Sequence, residues 1–391
     1  MNVTKNNNRL FLIILCGAMS AFGPFIMDLY LPSLPELQAY FNTSASFTQV
    51  SLMTAMIGLG FGQLLIGPIS DKYGRKTPLL VSLAIYTLSS FALIFSPNIH
   101  VLITLRGIQG LSAAGAVVSS RAIATDLYSG KELGRFFAML MTVHGIAPVI
   151  SPMVGSALLT FTDWHGVFVV LTALGCVLIL AVSRFYESLP VERRINRSIL
   201  QTFKIYPKIL ANRTFMGFIS MQAFGFGGMF GYISASPFIF QSNFGLSPLA
   251  FGLCFGANGL AVMTGANVSQ RVDRRKALAF GAFLYFAATW YVAFALNTGL
   301  GFWFVEPAFF AMMLSLGCIF PTVSMQAMAS ERQNAGSASA MLGFCPFLLG
   351  AIVSPLVGVG NIFLSTSIAL CISSLLVVLM YFKVRGKLVF Q

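Results

Sequence analysis

The chain has 391 residues; 57% are Ala, Cys, Met, larger aliphatic or aromatic residues and only 9% are charged. An ordinary soluble domain is roughly a quarter charged, so this composition excludes a cytosolic enzyme; 38 Phe exclude a disordered or collagen-like chain. Twenty-four Lys and Arg against eleven Asp and Glu give a net charge of +13, which in a soluble protein would point to nucleic acid.

A bilayer core takes about 20 apolar residues per helix. Windows of that length predict twelve spans: 10–31, 49–69, 78–95, 99–122, 136–160, 164–185, 214–234, 248–269, 277–296, 301–325, 337–359 and 362–382. Runs this long without period-2 alternation predict helices rather than a barrel. The longest connection divides the chain into a six-helix bundle at 1–185, a basic linker at 186–213 and a second six-helix bundle at 214–391. With the N-terminus in the cytoplasm, 22 of the 24 Lys and Arg fall on cytoplasmic segments and none on the outer loops. The other two, Arg106 and Arg121, lie inside span 4. The excess positive charge is therefore a topology signal, with both termini cytoplasmic and no nucleic-acid partner.

Residues 5–23 share features with a signal peptide, but the apolar run continues to Leu31, so the segment is expected to stay as span 1. The six Cys sit in apolar runs at no metal or redox spacing, and the three His form no metal-like pair. No metal or cofactor is expected.

Taken in chain order, span 1 carries Phe22, Phe25, Asp28 and Tyr30. The loop after span 2 reads Gly67-Pro68-Ile69-Ser70-Asp71-Lys72-Tyr73-Gly74-Arg75-Lys76. Its glycines permit a tight turn, and Arg75 can fork onto a carboxylate, with Asp126 at the end of span 4 as partner. Arg106 in span 4 costs at least roughly 2.5–3.5 kcal/mol to bury in a bilayer and should face a wet cavity or a carboxylate. Gly110 and a stripe of Ser112, Ala116, Ser120 and Ala124 let a neighbouring helix approach closely. Arg121 is read as snorkelling at the inner boundary.

Span 5 holds Gly145, Pro148, Pro152 and Gly155, a pattern for a bent helix at the interface of the two bundles. His144 is expected to hydrogen-bond a neighbouring helix, and His165 to be interfacial beside Trp164. In the second half, Gln222, Phe224, Phe226 and Tyr232 on span 7 are candidates for a cavity wall. An offset of 200 residues lays Arg75-Lys76 on Arg275-Lys276 and Arg106 on Glu306, so the last two are expected in pseudo-equivalent places.

The loop from Gly67 to Lys76, the span 4 run around Arg106 and Gly110, and the Gly/Pro cluster of span 5 together resemble the major facilitator superfamily. The resemblance extends over the whole chain. Asp28-Leu29-Tyr30-Leu31-Pro32, Arg121-Ala122-Ile123-Ala124-Thr125-Asp126 and Ser236-Pro237-Phe238 are similar to the bicyclomycin-resistance (Bcr/CflA) group of drug:proton antiporters. Ser151 and Ser156 depart from it where glycines are usual, as does His165 where Arg usually follows the Trp. The resemblance implies an all-α membrane fold of twelve helices in two pseudo-symmetric bundles around a central cavity. It implies conformational gating by Gly67, Asp71, Gly74, Arg75, Lys76, Gly110, Asp126, Gly145, Pro148, Pro152 and Gly155.

A helix rise of about 1.5 Å per residue puts Asp28, Arg106 and Glu306 in the outer third, within about 6 Å in height. A carboxylate in low dielectric holds its proton and a nearby arginine favours ionisation. An Asp28–Arg106 pair that opens and closes would therefore couple proton entry to substrate exit, with Glu306 as a second proton site. Phe22, Phe25, Tyr30, Gln222, Phe226 and Tyr232 are the expected substrate wall. The expected function is proton-coupled efflux of small amphipathic or apolar drugs across a bacterial inner (plasma) membrane by a monomer. The alternative is a proton-coupled carrier of a small metabolite such as a nucleobase or amino acid. No Walker-type loop, nucleophile–base pair or metal cluster supports an ATP-driven pump or an enzyme.

Overall fold

A computed structural model of the chain describes residues 8–194, 205–331 and 335–387, apart from the side chains at 130, 131, 134, 138, 141, 142, 144, 145, 335 and 336. Twelve long helices carry the fold: α1 (Arg9–Asp28), α2 (Ala45–Tyr73), α3 (Lys76–Ile94), α4 (Ile99–Leu127), α5 (Gly130–Leu158), α6 (Trp164–Ser183), α7 (Arg213–Pro237), α8 (Pro248–Arg271), α9 (Arg274–Asn297), α10 (Phe302–Ser330), α11 (Ala335–Leu356) and α12 (Ile362–Val384). Eleven are long and apolar enough, among the described residues, to cross a membrane; the twelfth, α5, is 29 residues long.

Polar caps set the helix ends more sharply than hydropathy does. Ser44, Asn98, Asp163, Asn212, Ser247, Asp273 and Asn361 each accept a hydrogen bond from the first turn of the helix they precede. A hydropathy window sees only the hydrocarbon-facing part, so α2 runs Ala45–Tyr73 where 49–69 was expected. Span 1 ends early. Pro32 has no N–H to offer the carbonyl of Asp28, and the chain turns through a 3-10 segment, Leu31–Ser33, into a short helix, Leu34–Tyr40. In the basic linker the described parts are a turn at Val191–Arg193 and a short helix at Tyr206–Ala211. Arg197, Lys204 and Arg332 lie outside the described residues.

Packing repeats from one half to the other. In the first half α1 packs on α4 and α5, α2 on α4, and α3 on α4 and α6. In the second, α7 packs on α10 and α11, α8 on α10, and α9 on α10 and α12. The halves meet along α2–α11 and α5–α8. Glycines fix the register of this repeat. Gly58 of α2 lies against the backbone at Gly107, and Gly110 of α4 against that at Ala55. In the second half Gly265 of α8 lies against the backbone at Leu314, and Gly317 of α10 against that at Val262. Residues 58 and 265, and 110 and 317, are each 207 apart. The repeat therefore runs at 207 rather than 200. Arg106 corresponds to Met313, not to Glu306, and the expected pseudo-equivalence of the two ionisable residues does not hold.

At the end away from the basic loops, the halves are tied together. Ser46 Oγ donates to the Pro355 carbonyl (2.8 Å), Gln49 Nε2 to Ser234 (2.8 Å) and Gln241 Nε2 to Pro32 (3.1 Å). There too α5 presents Val149, Met153 and Ser156 to Gly259, Gly256 and Gly252 of α8. Where α5 lacks a glycine at 156, the facing helix thus supplies one, Gly252.

Candidate functional site

Three polar clusters interrupt the apolar interior. The first sits where α1 ends. Asp28 is 5% exposed and, among the described residues, has no hydrogen bond or ion pair. The expected Asp28–Arg106 pair does not form. Arg106 instead donates from Nη1 and Nη2 to the carbonyl of Ile26 (3.2 and 3.1 Å) and from Nη1 to Gln109 Oε1 (2.5 Å). Gln109 Nε2 in turn holds Ser90 Oγ at 2.7 Å. The guanidinium carbon lies 4.6 Å from the centre of the Tyr30 ring. The cause is local: α1 stops at Asp28, so the carbonyl of Ile26 belongs to its last, unpaired turn. A helix C-terminus carries partial negative charge and attracts a cation. Arg106 is fully buried, held by a helix end and a π face rather than by a carboxylate.

The second cluster is in the other half. Asn258 of α8 donates from Nδ2 to Tyr232 Oη (2.8 Å) and to Glu306 Oε1 (2.9 Å). Glu306 Oε2 and Asn258 Oδ1 are buried acceptors without a donor among the described residues. Asn258 was missed by the sequence reading; the signal available was an amide in the middle of an apolar span.

Of the expected substrate wall, Phe22 is buried against Tyr86 (ring centroids 4.4 Å apart) and Tyr30 against Phe168 (5.4 Å). Tyr232 is enclosed by Phe309 (4.6 Å) and Phe255 (5.9 Å). All three are packed inside their own halves, so in this state they do not line a passage between them. Phe226 joins Phe320 and Phe347 (4.7 and 6.2 Å), Gln222 accepts from Ser324 Oγ (3.1 Å), and Phe25 is half-buried.

The third cluster lies at the basic end. Gly74 turns the chain at φ 93°, a conformation that favours glycine. Arg75 then forks onto Asp126, Nε to Oδ2 at 2.8 Å and Nη2 to Oδ1 at 3.2 Å, and also binds Asp71 (2.5 Å) and Ser70 (2.9 Å). Burial opposes the guanidinium charge, but hydrogen bonds and attraction from Asp126 and Asp71 outweigh it and hold its pKa above the ordinary value. Glu187, also missed in the sequence, accepts from the backbone N–H of Arg75 and Lys76 at 2.9 and 3.1 Å, so it caps α3 from a distance. Lys76 Nζ reaches the carbonyl of Ser183 at 2.7 Å. The cluster ties α2, α3, α4 and the end of α6 together.

Gly155 lies against the backbone at Leu29, and Gly67 faces Val118. Pro148 and Pro152 lie within α5. The surroundings of His144 and Gly145 are outside the described residues. Asp163 caps α6 and holds His165 Nδ1 at 2.9 Å; slight burial opposes its charge, but His165 and the backbone N–H groups outweigh it and lower its pKa.

Asp126→Asn removes a charge from a pair whose side chains are 7% and 11% exposed. Because Asp71 and Ser70 still hold Arg75, the expected loss is about 1–3 kcal/mol, read as a lower thermal midpoint in detergent. A double Arg75→Ala/Asp126→Asn variant should lose less than the two singles added.

Twelve apolar helices in two repeated halves, sealed together at one end and carrying buried ionisable groups, define a membrane transporter rather than an enzyme. The Major Facilitator Superfamily profile matches residues 10–355, and the chain belongs to that family. An uncharacterized MFS-type transporter YdgK of Bacillus subtilis (strain 168) is 39% identical over 360 residues, 90% of both chains. A bicyclomycin resistance protein homolog of Haemophilus influenzae is 27% identical over 371 residues, 91% of this chain and 90% of that one. The multidrug transporter MdfA of Yersinia pestis is 26% identical over 286 residues, 71% and 69% of the two chains. The fold is also that of the xylose transporter XylE from E. coli in a partially occluded inward open conformation (TM-score 0.75, 14% identity, 97% and 98% coverage).

Proposed function

We propose that this transporter exports drug-like compounds across a bacterial inner membrane in exchange for protons, with its basic end in the cytoplasm. The observation that carries the reading is Asp28: a carboxyl 5% exposed at membrane depth, unpaired, at the end of the helix that Arg106 holds. An isolated carboxylate there is costly, and binding a proton removes the charge. The cross-half hydrogen bonds opposite the basic loops, Ser46–Pro355, Gln49–Ser234 and Gln241–Pro32, support a state closed at that end, with drug entering from the basic end. Rocking of the halves exposes Asp28 to the other side, where a proton binds and drug leaves. Relatives named as a bicyclomycin resistance protein homolog, a chloramphenicol resistance protein and a multidrug transporter support drug-like substrates.

Glu306 is the second proton-binding group in this scheme. A proton on Oε2 turns an orphan acceptor into a donor, while Asn258 and Tyr232 fix the other end of the cluster. Glu306→Gln keeps the shape and the bond from Asn258 but cannot gain or lose a proton. It is expected to cut proton-driven transport about tenfold without abolishing it, a difference of about 1.4 kcal/mol for losing one of two proton-binding groups. Uptake into everted vesicles, across a panel containing chloramphenicol and bicyclomycin, tests the scheme with and without a protonophore. Protonophore-sensitive uptake of at least one drug is expected; transport of metabolites alone would contradict it.

A further inference from the structure

Between α7 and α12, at the basic end, lies a cavity of about 550 Å³. Three cations line it, Arg213 from the first turn of α7, Lys383 from the last turn of α12 and Lys387 from the 3-10 turn Arg385–Lys387 that follows, together with Leu210, Met216 and Gly217. Ser220 lies one turn deeper along α7. At Gly217 the two helices touch: a Cβ there would lie 2.7 Å from Val384 Cγ1. None of the three cations has an ion-pair partner among the described residues. Glu331, whose helix end lies beside the start of α7, is engaged by Asn212 Nδ2 at 2.6 Å, and Arg385 by the Phe382 ring at 4.9 Å. Among the described residues no acid lines the cavity.

Three like charges converging on one concavity repel one another unless an anion joins them. The cavity stands at the end of two spans, where a bilayer places its phosphates, and one side of it is apolar. Lys and Arg bind phosphate oxygens well, and a basic pocket between membrane helices suits an anionic headgroup. We propose that this cavity binds the phosphate headgroup of an anionic phospholipid, with an acyl chain lying along Leu210 and Met216. Lys383 of α12, Lys387 just beyond it and Arg213 of α7 then share one ligand, so the bound lipid staples the last helix to the helix that opens the second half.

The test is native mass spectrometry of the full-length chain in detergent, titrated separately with phosphatidylglycerol, phosphatidylcholine and inorganic phosphate. Phosphatidylglycerol adducts are expected on the wild type, with no comparable retention of phosphatidylcholine. Arg213→Ala/Lys383→Ala/Lys387→Ala should weaken phosphatidylglycerol binding on the order of a hundredfold. Lys387→Ala alone, in the terminal turn, should weaken it about fivefold and keeps the test valid if the triple variant fails to fold. Arg271→Ala/Arg274→Ala/Lys276→Ala removes as much charge elsewhere on the basic end and should leave binding unchanged. Equal binding of both lipids, or equal loss in the control triple, would overturn the proposal. So would inorganic phosphate competing as well as the lipid, since the site would then serve a free anion.

Discussion

Asp28→Asn is expected to abolish proton-driven export while leaving the protein inserted and folded. Asn fills nearly the same space as a protonated Asp, and among the described residues the wild-type side chain makes no hydrogen bond or ion pair that the change would break. Stability should therefore hold within about 0.5 kcal/mol, the range of substitutions that remove no specific contact. What is lost is the ability to alternate between neutral and charged forms, and with it the link between proton entry and drug exit. The neighbouring Arg106 separates the two roles. Arg106→Ala removes the bonds to the Ile26 carbonyl and Gln109 and opens a space under the Tyr30 ring, so it should damage folding as well as transport. Drug uptake driven by an imposed pH gradient, normalised to inserted protein, distinguishes them. Undiminished uphill transport by Asp28→Asn would remove Asp28 from the mechanism.

Gly110→Val is expected to be the most disruptive single change in the first half. A Cβ at 110 would sit 2.7 Å from the carbonyl carbon of Ala55 and 2.8 Å from its Cα. Both are backbone atoms, and no side-chain rotation relieves them. The α2–α4 crossing would have to widen, and with it the base on which Arg75 of the α2–α3 turn meets Asp126 of α4. Overpacking of this kind costs about 1–3 kcal/mol even where side chains can shift, so the loss here lies at or above the upper end. The expected result is little folded protein recovered from membranes, whereas Gly245→Ala, at a residue with nothing near its Cβ but φ 68°, causes only a modest loss. Equal recovery of Gly110→Val and wild type would contradict the close crossing.

The membrane spans were legible because a bilayer imposes one dominant rule, a long apolar run with the positive charges on one side. The Arg75–Asp126 contact was legible for a different reason: a glycine turn, a fork-shaped cation and an acid stand close to one helix crossing. The Asp28–Arg106 contact was misjudged because sequence gives height along a helix but not which group faces which. A free carbonyl at the end of α1 carries no residue signature, yet it captures Arg106. Asn258 and Glu187 escaped because each acts on an element distant in sequence. The register of the repeat was also open to misreading, since few identities survive between the halves. It is marked only where backbones touch, at Gly58 and Gly265 and at Gly110 and Gly317.

The most direct measurement is proton movement itself. Proteoliposomes of purified protein, loaded with a pH-sensitive dye and given an imposed proton gradient, receive chloramphenicol or bicyclomycin. Exchange predicts that a transported drug collapses the gradient faster in wild-type vesicles and leaves it unchanged with Asp28→Asn. A drug that is transported without any movement of protons would contradict the coupling.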